Sequence, residues 1–544
     1  MRLILTLFTV HFSLFTADAQ PAIAWAKCFG GSGTDYANAI LQTDDKGYLI
    51  LGTTASADGD VNGLHDSLGN DPDYWLIKLD ENGNMEWQKC LGGTRREFAS
   101  AMIKTSDGGY ALCGYSWSPD GDVSGNGFHY SADFWVLKLG SDYELTWQRT
   151  YGGYNDDKAF TIAETKDGGY VVAGNANSPD GDVTGLIGKT DYWLIKLDSI
   201  GNLKWNRCYG GTGDETANSV IQCDDGGYIL CGYTNSLDSE VTNLHKDING
   251  NKTYDIWVVK TDSIGTMEWQ KTYGGSGMDY GKTIIQTKDG GYTIFATTDF
   301  GRNDSGYYFY DDYWLIKVDA TGTIVWQQSY GGSYYDDAAT MAQTKDGGYL
   351  LSGSVLSNDM QVSGNHGGYD IWIVKTDSSG GIEWSKTVGG SRDDIAYSVI
   401  ETKDGGVAVA GSTISYDGDA AGLHDNCYYD ALLQDSVCNP DVWVLKLHPN
   451  VMKGPFNGNN NASMVNYPNP FDKNTTIVFN LDSLPDHCAL IIYNSAGQMV
   501  RSRAITGHSN TIIVSREGLP KGIYLCNLIH NNKEVLAVGK LDIE

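Results

Sequence analysis

Asp370-Ile371-Trp372-Ile373-Val374-Lys375-Thr376, then Asp377-Ser378-Ser379-Gly380, then Gly381-Ile382-Glu383-Trp384-Ser385-Lys386-Thr387-Val388-Gly389-Gly390, is one copy of a pattern that occurs seven times. Its apolar runs and the D-x-x-G turn between them predict two strands joined by a tight hairpin. The second tryptophan returns as Trp25, Trp87, Trp147, Trp205, Trp269, Trp326 and Trp384, each followed by a Gly-Gly pair. The spacing is about 60 residues, longer than WD or kelch repeats. The first tryptophan returns as Trp75, Trp135, Trp193, Trp257, Trp314, Trp372 and Trp443, so 14 of the 15 tryptophans belong to the repeat and Trp117 stands outside it.

Working upstream from the quoted stretch, Ala338 to Thr344 alternate as a strand, and Lys345-Asp346-Gly347-Gly348 supplies a hairpin into a second strand at Tyr349. An Asp-rich loop leads on to Asp370. Four antiparallel strands per copy with no helical pattern between copies is the grammar of propeller blades. The chain opens with a lone fourth strand at Trp25, and the seventh copy stops after its third strand at Trp443. Pairing the two would close the ring and remove two exposed edges. The expectation is an all-β chain: a seven-bladed β-propeller over residues 20–449 closed by its N-terminal strand, a polar linker over 450–464, and a small β-sandwich over 465–544.

Met1 and Arg2 precede the apolar run Leu3 to Thr16, and Ala17-Asp18-Ala19-Gln20 completes the pattern of a signal peptide over residues 1–19. No later run reaches the length of a transmembrane helix. The formal charge of −30 repels phosphate backbones, which excludes nucleic acid as a partner. A monomer is expected. Cys28, Cys90 and Cys208 occupy a repeat position that other copies fill with Thr or Ser, and read as small buried fillers. Cys427 and Cys438 bracket an insertion that they could staple, and Cys488 with Cys526 could do the same near the C-terminus.

Tyr467-Pro468-Asn469-Pro470-Phe471, Leu519-Pro520-Lys521-Gly522-Ile523-Tyr524 and Lys540-Leu541 occur in that order at the end of the chain. Residues 465–544 resemble the C-terminal sorting domain of type IX secretion, an Ig-like β-sandwich. The resemblance implies Pro520, Gly522, Tyr524, Lys540 and Leu541 as sorting-signal residues and the type IX secretion machinery as partner. It also implies export to the medium or to the outer-membrane surface of a Gram-negative bacterium. Ser118-Pro119-Asp120-Gly121-Asp122-Val123-Ser124-Gly125 and Asp167-Gly168-Gly169-Tyr170 are similar to repeats of uncharacterised surface proteins exported by that route, which implies fold and location only. The third-to-fourth strand turn at Asp319-Ala320-Thr321-Gly322 resembles quinoprotein propellers, but its spacing departs from theirs and no quinone is expected.

Three residue sets carry candidate chemistry. A carboxylate stands four residues after each Gly-Gly pair: Asp35, Glu97, Asp157, Glu215, Asp279, Asp336 and Asp394. Occupancy of every copy favours turn stabilisation over a single metal site. Asp-Gly-Asp loops pair acids two apart, and the fourth copy extends its loop so that Asp247, Asn249, Asn251 and Asp255 fall at positions 1, 3, 5 and 9 of a calcium loop, with calcium the cofactor they would take. The residue at position 12 is Val258, where such loops carry Glu. Histidines at 65, 129, 245, 366 and 424 recur in the same loops and read as turn residues. The repeat breaks in the fifth copy, where Tyr307, Tyr308 and Tyr310 replace the Asp-Gly-Asp motif and Tyr334 and Tyr335 follow; with Trp117 these are the candidate binding residues for polysaccharide or protein. No hydrolase elbow, HExxH helix or phosphate loop occurs. The expected function is a secreted or surface binding protein, against a carbohydrate-active hydrolase or lyase and a purely structural surface component.

Overall fold

Alternation of the apolar runs is realised in the structure as antiparallel strands throughout. The computed structural model describes residues 20–66, 71–125, 131–247, 249–299, 311–420, 422–424, 427–430, 435–449, 463–467, 471–480, 488–494, 499–505, 511–530 and 534–543. They divide into a compact unit Ala22–His448 and a second unit that contains Pro449–Glu544.

In the first unit, β1 (Ile23–Phe29) is followed by β2 (Asp35–Gln42), β3 (Tyr48–Thr54), β4 (Asp73–Leu79) and β5 (Met85–Leu91), and β2 to β5 form one four-stranded sheet in chain order. The same order recurs in sheets that begin at Asp or Glu 97, 157, 215, 279 and 336. Each first strand starts at the acid itself, two residues before the sequence placed it in the copy quoted above: Asp336–Gln343. The seventh sheet takes Asp394–Glu401, Val407–Thr413 and Asp441–Leu447 from the C-terminal side and β1 from the N-terminal side. Trp25 pairs with Lys446 and Phe29 with Val442.

Packing joins each sheet to the next. Tyr48, Trp75 and Ile77 of the first sheet share a core with Phe29, Val442 and Val444 of the seventh. Leu51 and Leu76 share another with Leu112 and Trp135 of the second sheet. The series continues from second to third, third to fourth, fourth to fifth, fifth to sixth and sixth to seventh. Six of the seven third-strand tryptophans are fully buried, and Trp314 is 9% exposed. One sheet end is locked by a buried lysine: Lys78 Nζ lies 2.9 Å from Asp45, and the D-G-G hairpins of the other six copies receive their lysines in the same way. The Thr105 hydroxyl, the Gly109 N–H and Lys138 hold the Asp107 carboxyl down at about 2.

Cys438 is disulfide-bonded, and Cys427 stands directly opposite it in a two-stranded ribbon, as the insertion requires. Cys90 and Cys208 are buried thiols, matching their role as fillers. Cys488 and Cys526 do not form the second staple: Cys488 faces His530 across one strand pair and Cys526 faces Ile492. Adjacent strands place these two thiols four residues out of register, and a cross-strand disulfide needs opposed positions.

The second unit holds a three-stranded and a four-stranded antiparallel sheet. They share a core that includes Met464, Ile477 and Val514 from one sheet and Leu490, Tyr524 and Leu541 from the other. Residues 1–19 lie outside the described residues, so the signal peptide carries no structural account.

If β1 supplies the fourth strand of the seventh sheet, deleting residues 20–31 leaves Asp441–Leu447 as a bare edge. The deleted protein is expected to elute as aggregates where the full chain is monomeric by light scattering. An unchanged monomer with an unchanged Tm would show that the pairing stabilises nothing.

Candidate functional site

At the sheet end opposite the lysine locks, the acids that follow Gly-Gly are all fully buried. Each accepts the N–H of the second glycine, as from Gly31 to Asp35 at 2.9 Å, Gly93 to Glu97 at 2.8 Å and Gly390 to Asp394 at 2.7 Å. Hydroxyls supply the other bonds: Ser56 donates to Asp35, Ser116 to Glu97, and Thr234 with Ser236 to Glu215. The Asp-Gly-Asp acids close the same turn from outside. Asp58 accepts from Ser32 N, Asp120 from Thr94 N and Asp417 from Ser391 N. Asp122 accepts from Gly92 N and Glu240 from Gly210 N. Both acidic sets therefore build the turn, the acid after Gly-Gly in every copy and the Asp-Gly-Asp acids in the copies that carry them.

Apart from Asp255, the sequence reading missed a third acidic set, at the first residue of each third strand or, in the fifth copy, the second: Asp73, Asp133, Asp191, Asp255, Asp312, Asp370 and Asp441. It reaches across the sheet boundary to the next copy's buried acid. A Cβ placed on Gly92 would lie 2.5 Å from both Asp73 Oδ1 and Glu97 Oε2, so this glycine is the only residue type that fits between the two carboxyls. The same crowding surrounds Gly30, Gly152, Gly210, Gly274, Gly331 and Gly389. Burial pushes the Glu97 and Asp133 carboxyls up to about 8 and Asp73 to about 6, with the neighbouring acid adding to the effect on Glu97 and Asp133. Four of the recurring histidines serve these acids: Nδ1 of His65, His245, His366 and His424 lies 2.6 to 2.8 Å from Asp73, Asp255, Asp370 and Asp441. His129 lies outside the described residues. Paired carboxyls are also the equipment of glycosidases. Here their burial behind a glycine leaves no room for a substrate.

The four proposed calcium ligands are not brought together. Asp247 is half-buried and accepts from Asn249 N and from both nitrogens of Asn251, an Asx turn, while buried Asp255 is turned to His245. Among the described residues, no group of three or more His, Cys, Asp or Glu is placed to hold a metal ion.

Each first strand carries a β-bulge at one residue: Asn38, Ser100, Phe160, Asn218, Lys282, Ala339 and Tyr397. A bulge leaves its residue out of the ladder and re-aims the side chain. Neither the bulge position nor the one two residues before it (Tyr36, Phe98, Lys158, Thr216, Tyr280, Asp337 and Ile395) is fixed: apart from Asn at 38 and 218 and Tyr at 36 and 280, each copy carries a different residue there, although every copy keeps an acid beside them. That contrast between fixed and varying positions was the readable signal. Trp117, the tryptophan outside the repeat, sits here. Its ring meets Phe98 at 5.9 Å and Tyr115 at 5.5 Å, Phe98 stacks on Tyr115 at 5.5 Å, and Phe160 meets Tyr115 at 6.2 Å. Lys158 Nζ lies 5.5 Å from the Trp117 ring and 5.6 Å from Tyr115. All five side chains are half-buried. Tyr36 meets Tyr397 at 6.1 Å, and Tyr233, Tyr254 and Tyr280 form a second cluster with Lys282. Tyr334 and Tyr335 are 52% and 44% exposed. Tyr307, Tyr308 and Tyr310 lie outside the described residues. A cavity of about 560 Å³ opens in the fifth copy, lined by His245, Tyr273, Asp299, Trp314 and Gln327 among others.

In the second unit, the strands Gly522–His530 and Glu534–Ile543 set Tyr524 directly opposite Leu541 and Leu525 opposite Lys540, and the Tyr524 hydroxyl donates to the Pro520 carbonyl at 2.8 Å. Four of the five sorting-signal candidates thus converge although about 20 residues of sequence separate them.

Residues 465–541 match the secretion system C-terminal sorting domain. This tail directs export by type IX secretion to the cell surface or the outside. Over 420 residues the chain is 21% identical to the regulatory protein FlaEY of Caulobacter vibrioides, covering 69% of this chain and 42% of that protein. The chain therefore spans less than half the length of that relative. Among solved structures, the WD40 domain of Neurospora crassa Pan2 is similar with a TM-score of 0.39 and 9% identity, over 76% of this chain and 89% of its own. Sqt1 of Chaetomium thermophilum gives a TM-score of 0.39 and 9% identity, over 79% and 98%. Among the described residues no helix is long and apolar enough to cross a membrane.

The second glycine of each pair supplies an internal control. A Cβ on Gly93 would lie 2.5 Å from the Asp120 carbonyl oxygen, whereas around Gly275, in the copy without an Asp-Gly-Asp motif, nothing among the described residues lies within 4 Å. Gly93→Ala is expected to lower stability by about 1–3 kcal/mol and Gly275→Ala by much less, read from chemical denaturation. Equal losses would mean that the Asp-Gly-Asp loop does not press on the turn.

Proposed function

We propose that the chain is a secreted or cell-surface binding protein: a seven-bladed β-propeller closed by its N-terminal strand, with a signal peptide at residues 1–19 and an Ig-like sorting sandwich at 465–544. Its ligand is a polysaccharide, bound on the bulged first strands, which a closed ring gathers around one axis. The observation that carries this reading is the half-buried arc of Phe98, Tyr115, Trp117 and Phe160 under Lys158. Aromatic faces stack on the apolar faces of sugar rings, and the variation of the bulge residues between copies suits an asymmetric ligand on a symmetric scaffold. Hydrolase or lyase chemistry is disfavoured, because the close carboxyl pairs are sealed in the turns. A protein ligand engaging Tyr334 and Tyr335 is the second reading, favoured by their exposure.

The test is a glycan array with the mature protein, followed by titration of the best ligand. Trp117→Ala and Tyr115→Ala are each expected to weaken binding at least about tenfold, or about 1.4 kcal/mol. Loss confined to Tyr335→Ala moves the site to the fifth and sixth copies, and full binding by all three variants refutes the reading.

For export, removing residues 465–544 is expected to leave the remainder in the periplasm. Normal surface delivery of the truncated chain would contradict the role of the tail.

A further inference from the structure

Asp73 and Glu97 meet at the boundary of the first and second sheets with neither side chain exposed. Asp73 Oδ2 accepts the backbone N–H of His65 at 3.0 Å and lies 2.6 Å from its Nδ1. Asp73 Oδ1 is buried with no hydrogen-bond partner among the described residues, and it is aimed at the Gly92 site where Glu97 Oε2 also sits. Since both oxygens lie 2.5 Å from one point, they are no more than about 5 Å apart. The charged groups that face them are His65, on the loop before β4, and Asp122, whose Oδ2 lies 3.5 Å from His65 Nε2; the buried Cys90 thiol flanks Asp73. Asp133 and Asp157 repeat the arrangement around Gly152, with Asp133 Oδ1 again buried and, among the described residues, unpartnered, and with Asp182 and Asp156 as the facing charges.

Two carboxylates this close and this buried cannot both ionise at ordinary cost, and an orphaned buried acceptor lacks one hydrogen. We infer that the Asp73–Glu97 and Asp133–Asp157 pairs each hold one shared proton at neutral pH, and that losing it on the alkaline side loosens the boundary between neighbouring sheets. The protons add to the aromatic site proposed above and do not depend on it.

The direction of the pH effect follows from linkage. Burial raises Glu97 and Asp133 to about 8, and the Asp73 contact raises His65. A group with a raised folded-state pKa gives its full stabilisation below its unfolded-state pKa and loses it as pH rises from there through the folded-state pKa. For Glu97 and Asp133 stability is therefore lost from about pH 4 up to about pH 8, and the loss is complete by about pH 9.

The mature full chain tests this by infrared spectroscopy and thermal unfolding. A C=O stretch of protonated carboxyl groups is expected near pH 7, fading by about pH 9, and smaller in Asp133→Asn and Glu97→Gln. The wild-type Tm should fall over that range, and Asp133→Asn, whose amide replaces the shared proton, should lose less and melt above wild type at the alkaline end. If either variant fails to fold, the wild-type infrared band decides. No such band near neutrality, a band unchanged in both variants, or a Tm that rises with pH would overturn the inference. A Tm lowered at neutral pH by chelator alone would also overturn it, by assigning the pair to a cation.

Discussion

Everything in the repeat unit depends on residues 23–29 pairing with residues 442–447. Those two segments are more than 400 residues apart, and their ladder converts a row of sheets into a series whose last member packs on its first. Without it the seventh sheet has three strands and an open edge, and the first sheet loses Phe29 and Trp25 from its core. The pairing costs one long loop closure, a slowly growing entropic term, and it covers two edges that would otherwise recruit other chains.

A second constraint acts inside every boundary. The chain must turn sharply from one sheet into the next, and Gly-Gly does this because carboxyls crowd it from two sides and a loop from a third. The acids bind the turn's N–H groups, so their burial is partly offset by charge-assisted hydrogen bonds. At the other sheet end the same residue type is treated differently: Asp107 is held ionised by a hydroxyl, an N–H and a lysine, while Glu97 and Asp133 are pushed towards the neutral form. The acidity of the chain is thus two populations of carboxyls, one solvated or ion-paired and one sealed in the turns.

Much of this was legible because the repeat prints its architecture in tryptophan and glycine. The count of copies, the four strands of each and the spare terminal strand all follow from Trp25, Trp443 and the Gly-Gly pairs. The partner of Glu97 was not legible, since Asp73 belongs to the previous copy and only packing of sheet on sheet joins them. The bulges were missed, although the extra residue shifts the two-residue alternation, as at the adjacent buried pair Ala39 and Ile40. Trp117 was singled out for breaking the repeat, but its company of Phe98, Tyr115 and Lys158 needed the strand pairing to appear. The calcium-loop spacing of Asp247, Asn249 and Asn251 also encodes an Asx turn, and in the structure these residues bond to one another.

Native-state hydrogen exchange of the β1 amides tests the central claim most directly. If β1 is the fourth strand of a closed ring, the alternate β1 amides that bond to Asp441–Leu447 exchange as slowly as those of Ile77 and Trp443 in the third strands. If they exchange as fast as an unpaired terminus while the other strands stay protected, the ring is open and the account fails.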